Sequence, residues 1–138
     1  MEIKAFTLCA FAEDSNGLLV VRKPLARIGV PSVPTKLNKC YLATRIQFDN
    51  TDAKALELTY QFILPGKGHA ITPRPEFVDV RSLLRARKNA TNIVFALTGI
   101  PLPEIGEYSI HLSTKGKILR ALSLHVFLED ALGNSATY

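Results

Sequence analysis

The stretch from Gly106 to Leu128, GEYSIHLSTKGKILRALSLHVFL, constrains the fold more than any other part of the chain. Tyr108, Ile110 and Leu112 alternate with Ser109, His111 and Ser113, the period of two of a strand with one buried face. After Thr114-Lys115-Gly116-Lys117 the alternation resumes. Ile118, Leu122, Leu124, Val126 and Leu128 fall on one face, and Ala121, Ser123, His125 and Phe127 on the other. The turn must bring the two apolar faces to the same side. A loop of Lys115-Gly116 alone pairs 113 with 118 and turns Tyr108, Ile110 and Leu112 the wrong way. A loop of Thr114 to Gly116 pairs 112 with 118, 110 with 120 and 108 with 122, and Gly116 supplies the positive φ that its last position needs. The expected loop is therefore Thr114–Gly116. Arg120 is discordant on the apolar face and is expected to snorkel to the rim. A lone hairpin is marginal in water, so the rest of the chain must supply a second layer.

It has the means. Residues 3–12 read as a strand that is apolar on both faces, ended by the turn signal Glu13-Asp14-Ser15-Asn16-Gly17. Leu18 to Val21 starts a second strand. From Arg22 to Lys39 the prolines Pro24, Pro31 and Pro34 and five basic residues indicate an edge segment and then a loop crossing between layers. Cys40 to Phe48 and Ala55 to Leu64 are strands about a turn at Asp49-Asn50-Thr51-Asp52. In the latter, Leu56, Leu58, Tyr60, Phe62 and Leu64 face inward and Glu57, Thr59 and Gln61 face water. Pro73 and Pro75 interrupt an edge segment over 70–80, Ser82 to Asn89 is a helical turn or loop, and Asn92 to Thr98 is another strand. The resulting fold class is all-β, an antiparallel β-sandwich of about seven to eight strands, immunoglobulin-like or of Greek-key type. The chain has no Trp, which removes the strict immunoglobulin signature. One domain, 1–129, with a flexible tail at 130–138, suits a chain of 138 residues.

Two stretches carry a family resemblance. One is EDSNGLLVV with the following GVPSVP and the strand pair CYLATRIQF and ALELTYQFILPGKG. The other is NIVFALTGIPLPEIGEYSIHLSTKGKILRALSLHVF. Together they resemble an uncharacterised bacterial β-sandwich family, a domain of unknown function, over most of residues 3–128. The resemblance implies the sandwich fold and carries no activity or site with it.

Chemistry is sparse. Neither a GxSxG elbow nor a phosphate loop nor a dinucleotide fingerprint occurs, and Gly66-Lys67-Gly68-His69 reads as a turn. No catalytic residue, cofactor or metal site is expected. His111 and His125 share a face, but the register above puts them about 20 Å apart, too far to share a metal, and His69 reads as a surface residue. Cys9 and Cys40 lack metal-ligand spacing and read as buried, reduced thiols of a cytoplasmic protein. The apolar runs are too short to span a membrane. Asn89-Ala90-Thr91 matches a glycosylation acceptor, to which no weight attaches without a secretory signal.

The one constellation with content is basic. Arg81, Arg85, Arg87 and Lys88 cluster, with Arg74 near, in a chain of net charge +5. This segment reads as a solvated charged loop, with contact to an anion or an acidic protein as the functional reading. Leu83, Leu84 and Ala86 are interleaved in place of aromatics, so the pattern of single-strand nucleic-acid binding is missing, and nucleic acid stands as the weaker alternative. Proline-marked edges and apolar residues on both strand faces point to a non-catalytic module that binds a protein partner or itself. A small ligand or carbohydrate held in a loop cleft is the remaining alternative.

Overall fold

In the computed structural model the 106–128 stretch is a hairpin, but it closes by a different turn. Thr114 pairs with Lys117 and Ser113 with Ile118. The loop is thus Lys115-Gly116, with φ of 49° and 78°, the two left-handed residues of a type I′ turn. Between Leu112 and Ser113 the register shifts, and the following pairs are Leu112–Arg120, Ile110–Leu122 and Tyr108–Leu124. The expected Thr114–Gly116 loop is therefore wrong. The extra residue sits in the ladder as a bulge at Leu119, which restores the phase that the tight turn had reversed. Ile118, on the turn side of the bulge, is lifted from the core and is 54% exposed. Arg120 is exposed, as expected, and reaches the carbonyls of Leu119 and Ile3.

The structure describes residues 1–49, 55–66, 70–71, 76–129 and 135–136. The elements are β1 (Glu2–Ser15), β2 (Leu18–Pro24), β3 (Arg27–Val30), β4 (Thr35–Leu37), β5 (Cys40–Gln47), β6 (Ala55–Ile63), β7 (Ala70–Ile71), β8 (Glu76–Asp79), α1 (Val80–Arg85), β9 (Ala90–Leu97), β10 (Ile100–Leu102), β11 (Gly106–Thr114), β12 (Lys117–Glu129) and β13 (Ser135–Ala136). Only β1, β2, β5, β6, β9, β11 and β12 reach seven residues; the other strands are two to four residues long. Residues 50–52 and 67–69 of the expected turns, His69 among them, the prolines at 73 and 75, Arg74 and most of the 130–138 tail lie outside the described residues. Ser135–Ala136 pairs with the end of β12.

The protein is mostly β. One sheet runs β2-β1-β5-β9 and is antiparallel throughout. A second runs β13-β12-β11-β6-β7, with β8 beside β6 and β3 beside β12, and β4 and β10 form a separate antiparallel pair. The β3–β12 pair is parallel, so this sheet is mixed. The basic, proline-marked stretch after β2 does cross between the sheets. Leu25 donates its N–H to the Leu8 carbonyl, and the next carbonyl, that of Ala26, accepts from His125.

One apolar cluster draws on both sheets: Leu8, Leu42, Ile46 and Ile93 from the first, Leu58, Phe62, Ile110, Leu112 and Leu124 from the second. Alternation explains the selection. Leu42, Thr44, Ile46 and Phe48 are buried while Tyr41, Arg45 and Gln47 on the other face are half-buried; Ala43, also on that face, is buried in a small cluster with Cys9 and Ala12. Thr44 is the polar exception. Its hydroxyl is 2.9 Å from that of Tyr60 in the opposite sheet, and Tyr60 packs edge-on to Phe95 at 4.9 Å. Both residues are fully buried, so each hydroxyl depends on the other.

Candidate functional site

The helix of the basic segment is short and well terminated. Asp79 caps its start by accepting from the Ser82 N–H at 3.0 Å. At its end Arg87 N–H donates to Leu84 and Lys88 N–H to Leu83, the paired bonds of a Schellman motif. The residue at its C′ position has to be left-handed, and glycine usually supplies it. Here it is Arg87, at φ 59°. A cationic side chain occupies a position where glycine would be unstrained.

The Schellman turn aims the chain toward the outer face of the first sheet, beside the β1–β2 hairpin. That hairpin turns through Asn16-Gly17, at φ 51° and 85°, the sequence that best fits a type I′ turn. Its Gly17 carbonyl is a hub. It accepts from Arg45 Nη1 at 3.0 Å and from Asn92 Nδ2 at 3.1 Å. Arg45 and Asn92 are cross-strand neighbours on β5 and β9, and Arg45 Nη1 also donates to Asn92 Oδ1 at 2.8 Å. Asn92 Nδ2 donates again to Asp14 Oδ1 at 2.6 Å. Among the described residues these bonds engage Arg45 through one guanidinium nitrogen, Nη1.

Between hairpin and helix lies a cleft of about 770 Å³, lined in part by Asp14, Arg45, Leu83, Arg87, Lys88 and Asn92. Of the four basic residues singled out in the sequence, the structure brings Arg87 and Lys88 into the cleft. Arg81 and Arg85 are exposed on α1 and are not part of its lining. Arg85 lies in the last turn of α1, where a cation complements the helix dipole. Arg45 was missed from the sequence because it alternates regularly within a strand and reads as an ordinary water-facing residue. Arg45, Arg87 and Lys88 thus line the cleft together with one carboxylate, Asp14, which already accepts from the Asn92 amide.

Nucleophiles are placed elsewhere. Cys9 and Cys40 are free and buried. Cys9 belongs to a small cluster with Ala12 and Ala43, whereas Cys40 joins the main core. Burial raises the pKa of both thiols, that of Cys40 to about 11 with Cys9 adding to the effect. Tyr60 is pushed up to about 12 by burial. Such groups keep their protons at neutral pH and are poor nucleophiles. His111 pairs with Ala121 and His125 with Glu107, so the two histidines are four ladder positions apart, about 13 Å. The bulge thus shortens the separation expected from the sequence without bringing them to one metal. His125 Nδ1 instead meets Glu107 Oε1 at 2.8 Å. Among the described residues no His, Cys, Asp and Glu side chains group as metal ligands, and no helix is long and apolar enough to cross a membrane.

A profile for DUF6941, a family of unknown function, matches residues 4–127. The chain belongs to that family. No curated protein matches this DUF6941 chain. Among solved structures it resembles a GH3 β-glucosidase from Bifidobacterium adolescentis, with a TM-score of 0.53 at 12% identity over 91% of this chain and 17% of the other. It also resembles the alkylpurine DNA glycosylase AlkC from Pseudomonas fluorescens, with a TM-score of 0.49 at 9% identity over 91% of this chain and 30% of that one. A third likeness is an immunoglobulin-like protein from Pseudomonas aeruginosa, with a TM-score of 0.44 at 16% identity over 91% of this chain and 94% of that one. The first of these shows a shared fold and nothing about activity.

Proposed function

We propose that the chain is an immunoglobulin-like β-sandwich that works without catalysis as a protein-interaction module, and that its cleft receives the carboxylates of an acidic partner. Topology supports the sandwich. Taking β1, β5, β6, β9, β11 and β12 as strands A, B, C, E, F and G puts A, B and E in one sheet and C, F and G in the other. Tyr108 supports it too. It lies at the start of β11 and its hydroxyl donates to the Glu104 carbonyl at 2.6 Å, the arrangement of a tyrosine corner at the E–F crossing.

The observation that carries the binding role is Arg87. A left-handed arginine costs roughly 1 kcal/mol where glycine costs nothing, and its side chain lines the cleft beside Arg45 and Lys88. Fluorescence anisotropy with a labelled hexaglutamate peptide at ~50 mM salt tests this. Arg87→Gly should weaken binding by about tenfold while raising the melting temperature, because it relieves the backbone. Unchanged affinity in that variant rules the reading out.

Nucleic-acid binding is the second reading, favoured by Arg81 and Arg85, which extend the cationic surface beyond the cleft. It requires that single-stranded DNA bind more tightly than the peptide, with a steep salt dependence that falls when Arg81 and Arg85 are neutralised.

A further inference from the structure

β9 ends the first sheet, and among the described residues its only strand partner is β5. Its ladder parity follows from one bond. Phe48 N–H donates to the Asn89 carbonyl at 2.8 Å, so the odd-numbered residues of β9 bond toward β5. The N–H and C=O groups of Ala90, Asn92, Val94 and Ala96 therefore point outward along a free edge. Natural sheets guard such edges with charge, proline or bulges. The opposite edge of this sheet follows that rule, since β2 ends in Arg22-Lys23-Pro24 with Lys23 at φ 53°. β9, ATNIVFAL, has no charge and no proline and runs unbroken against β5.

Alongside β9 lies a groove of about 510 Å³, between it and β8 of the other sheet. Ile93 and Phe95 line one side and Val78 the other, and Phe77 stands at the wall 67% exposed. Arg87 and Lys88 lie just before the start of β9. Glu76 lies toward the Phe95 end, because it pairs with Leu58, two residues from the Tyr60 that packs on Phe95.

We propose that β9 is a strand-addition site for an extended segment of another protein, antiparallel to β9, apolar on alternate residues and acidic at its C-terminal end. This rests on the reading of the cleft as a carboxylate site and names the form of the partner. Antiparallel pairing places the incoming C-terminal end beside Arg87, Lys88 and Arg45, and its N-terminal end nearer Glu76. The open groups from Ala90 to Ala96 span about 20 Å, a segment of six or seven residues. Alternate side chains of that segment enter the groove against Phe77 and Phe95, while its main chain satisfies the open ladder. A second copy fits less well. An antiparallel pairing of two β9 strands about Ile93 brings Arg87 of one copy to Gly99 of the other, and Lys36 lies beside that Gly99, cation against cation.

The test uses the full chain and two peptides of equal composition, KVTVTVDE and its reverse EDVTVTVK, both blocked at their termini. The first should bind at least about tenfold more tightly. Its binding should slow hydrogen exchange at Ala90, Asn92, Val94 and Ala96, and not at Ile93 or Phe95, whose amides are already bonded. Val94→Pro deletes an outward N–H that the β5 ladder does not use, so the variant keeps its fold and loses the peptide. Should that variant fail to fold, a peptide N-methylated on alternate residues asks the same question of the intact protein. Equal binding of both peptides, or binding unaffected by Val94→Pro or by N-methylation, overturns strand addition. So does dimerisation that Val94→Pro abolishes while neither peptide binds. The two readings fail separately: loss of hexaglutamate binding in Arg87→Gly with no effect of Val94→Pro on KVTVTVDE leaves the cleft and removes the edge.

Discussion

The hydroxyl pair of Thr44 and Tyr60 is the place to test how the two sheets are held together. Both side chains have no exposed surface, and their oxygens are 2.9 Å apart. Tyr60→Phe removes one hydroxyl and leaves the other buried without a partner, as does Thr44→Val. An orphaned buried hydroxyl costs about 1–3 kcal/mol, whereas removing both partners together is close to neutral. The double variant should therefore be more stable than either single one, with a coupling energy of about 1–2 kcal/mol in the double-mutant cycle. At roughly 2.1 cal/mol/K per residue, a chain of 138 residues has an unfolding entropy near 0.3 kcal/mol/K, so each kcal/mol moves the melting temperature by about 3–4 °C. The measurement is thermal and urea unfolding of the four proteins side by side. Additive single effects would show that the bond contributes nothing beyond shape, and the account of Thr44 as a satisfied core polar group would be wrong.

Cys40 and Tyr60 have folded pKa values of about 11 and about 12 against ordinary values of 9.0 and 10.0. Above pH 9 the unfolded chain releases protons that the folded chain keeps, so stability should be level below pH 9 and fall from there to about 12. Urea midpoints across pH read this, and Cys40→Ala should make the fall shallower, its onset still set by Cys9. Lys115 occupies the first left-handed position of its turn, at φ 49°, so Lys115→Asn should stabilise by about 0.5–1 kcal/mol in a urea melt. Gly106 is at φ 130°, and a Cβ there would come within 3.2 Å of Pro65, so Gly106→Ala should lower stability by about 1–3 kcal/mol.

The strands were legible in the sequence wherever one face is buried and the other wet. The alternation in β6, LELTYQF, predicts its buried set residue for residue, whereas β5 also buries Ala43 on its other face. The turn of the last hairpin was not legible, because two solutions satisfy the same phase: a longer loop, or a tight turn with a bulge at Leu119. Only the pairing decides between them. The parallel β3–β12 pair was hidden because β3 is four residues long and its partner lies at the far end of the chain. The basic segment announced Arg87 and Lys88. Arg45 and Asn92 join them only because β5 and β9 are neighbours and the β1–β2 turn folds over both, a juxtaposition that composition does not encode. The free edge of β9 likewise needs the strand order before its lack of charge means anything.

The crossing at Leu25-Ala26 sets an order of events during synthesis. Leu25 is tied to Leu8 in one sheet, a bond available once the first two strands have emerged. Ala26 is tied to His125 in the other, and His125 is made about 100 residues later. The β5–β9 ladder can be complete while the strand that anchors β3 is still inside the ribosome. For that interval the nascent chain has one finished sheet and an unclosed second one, so a chain released before residue 125 cannot close its second sheet, however complete its first.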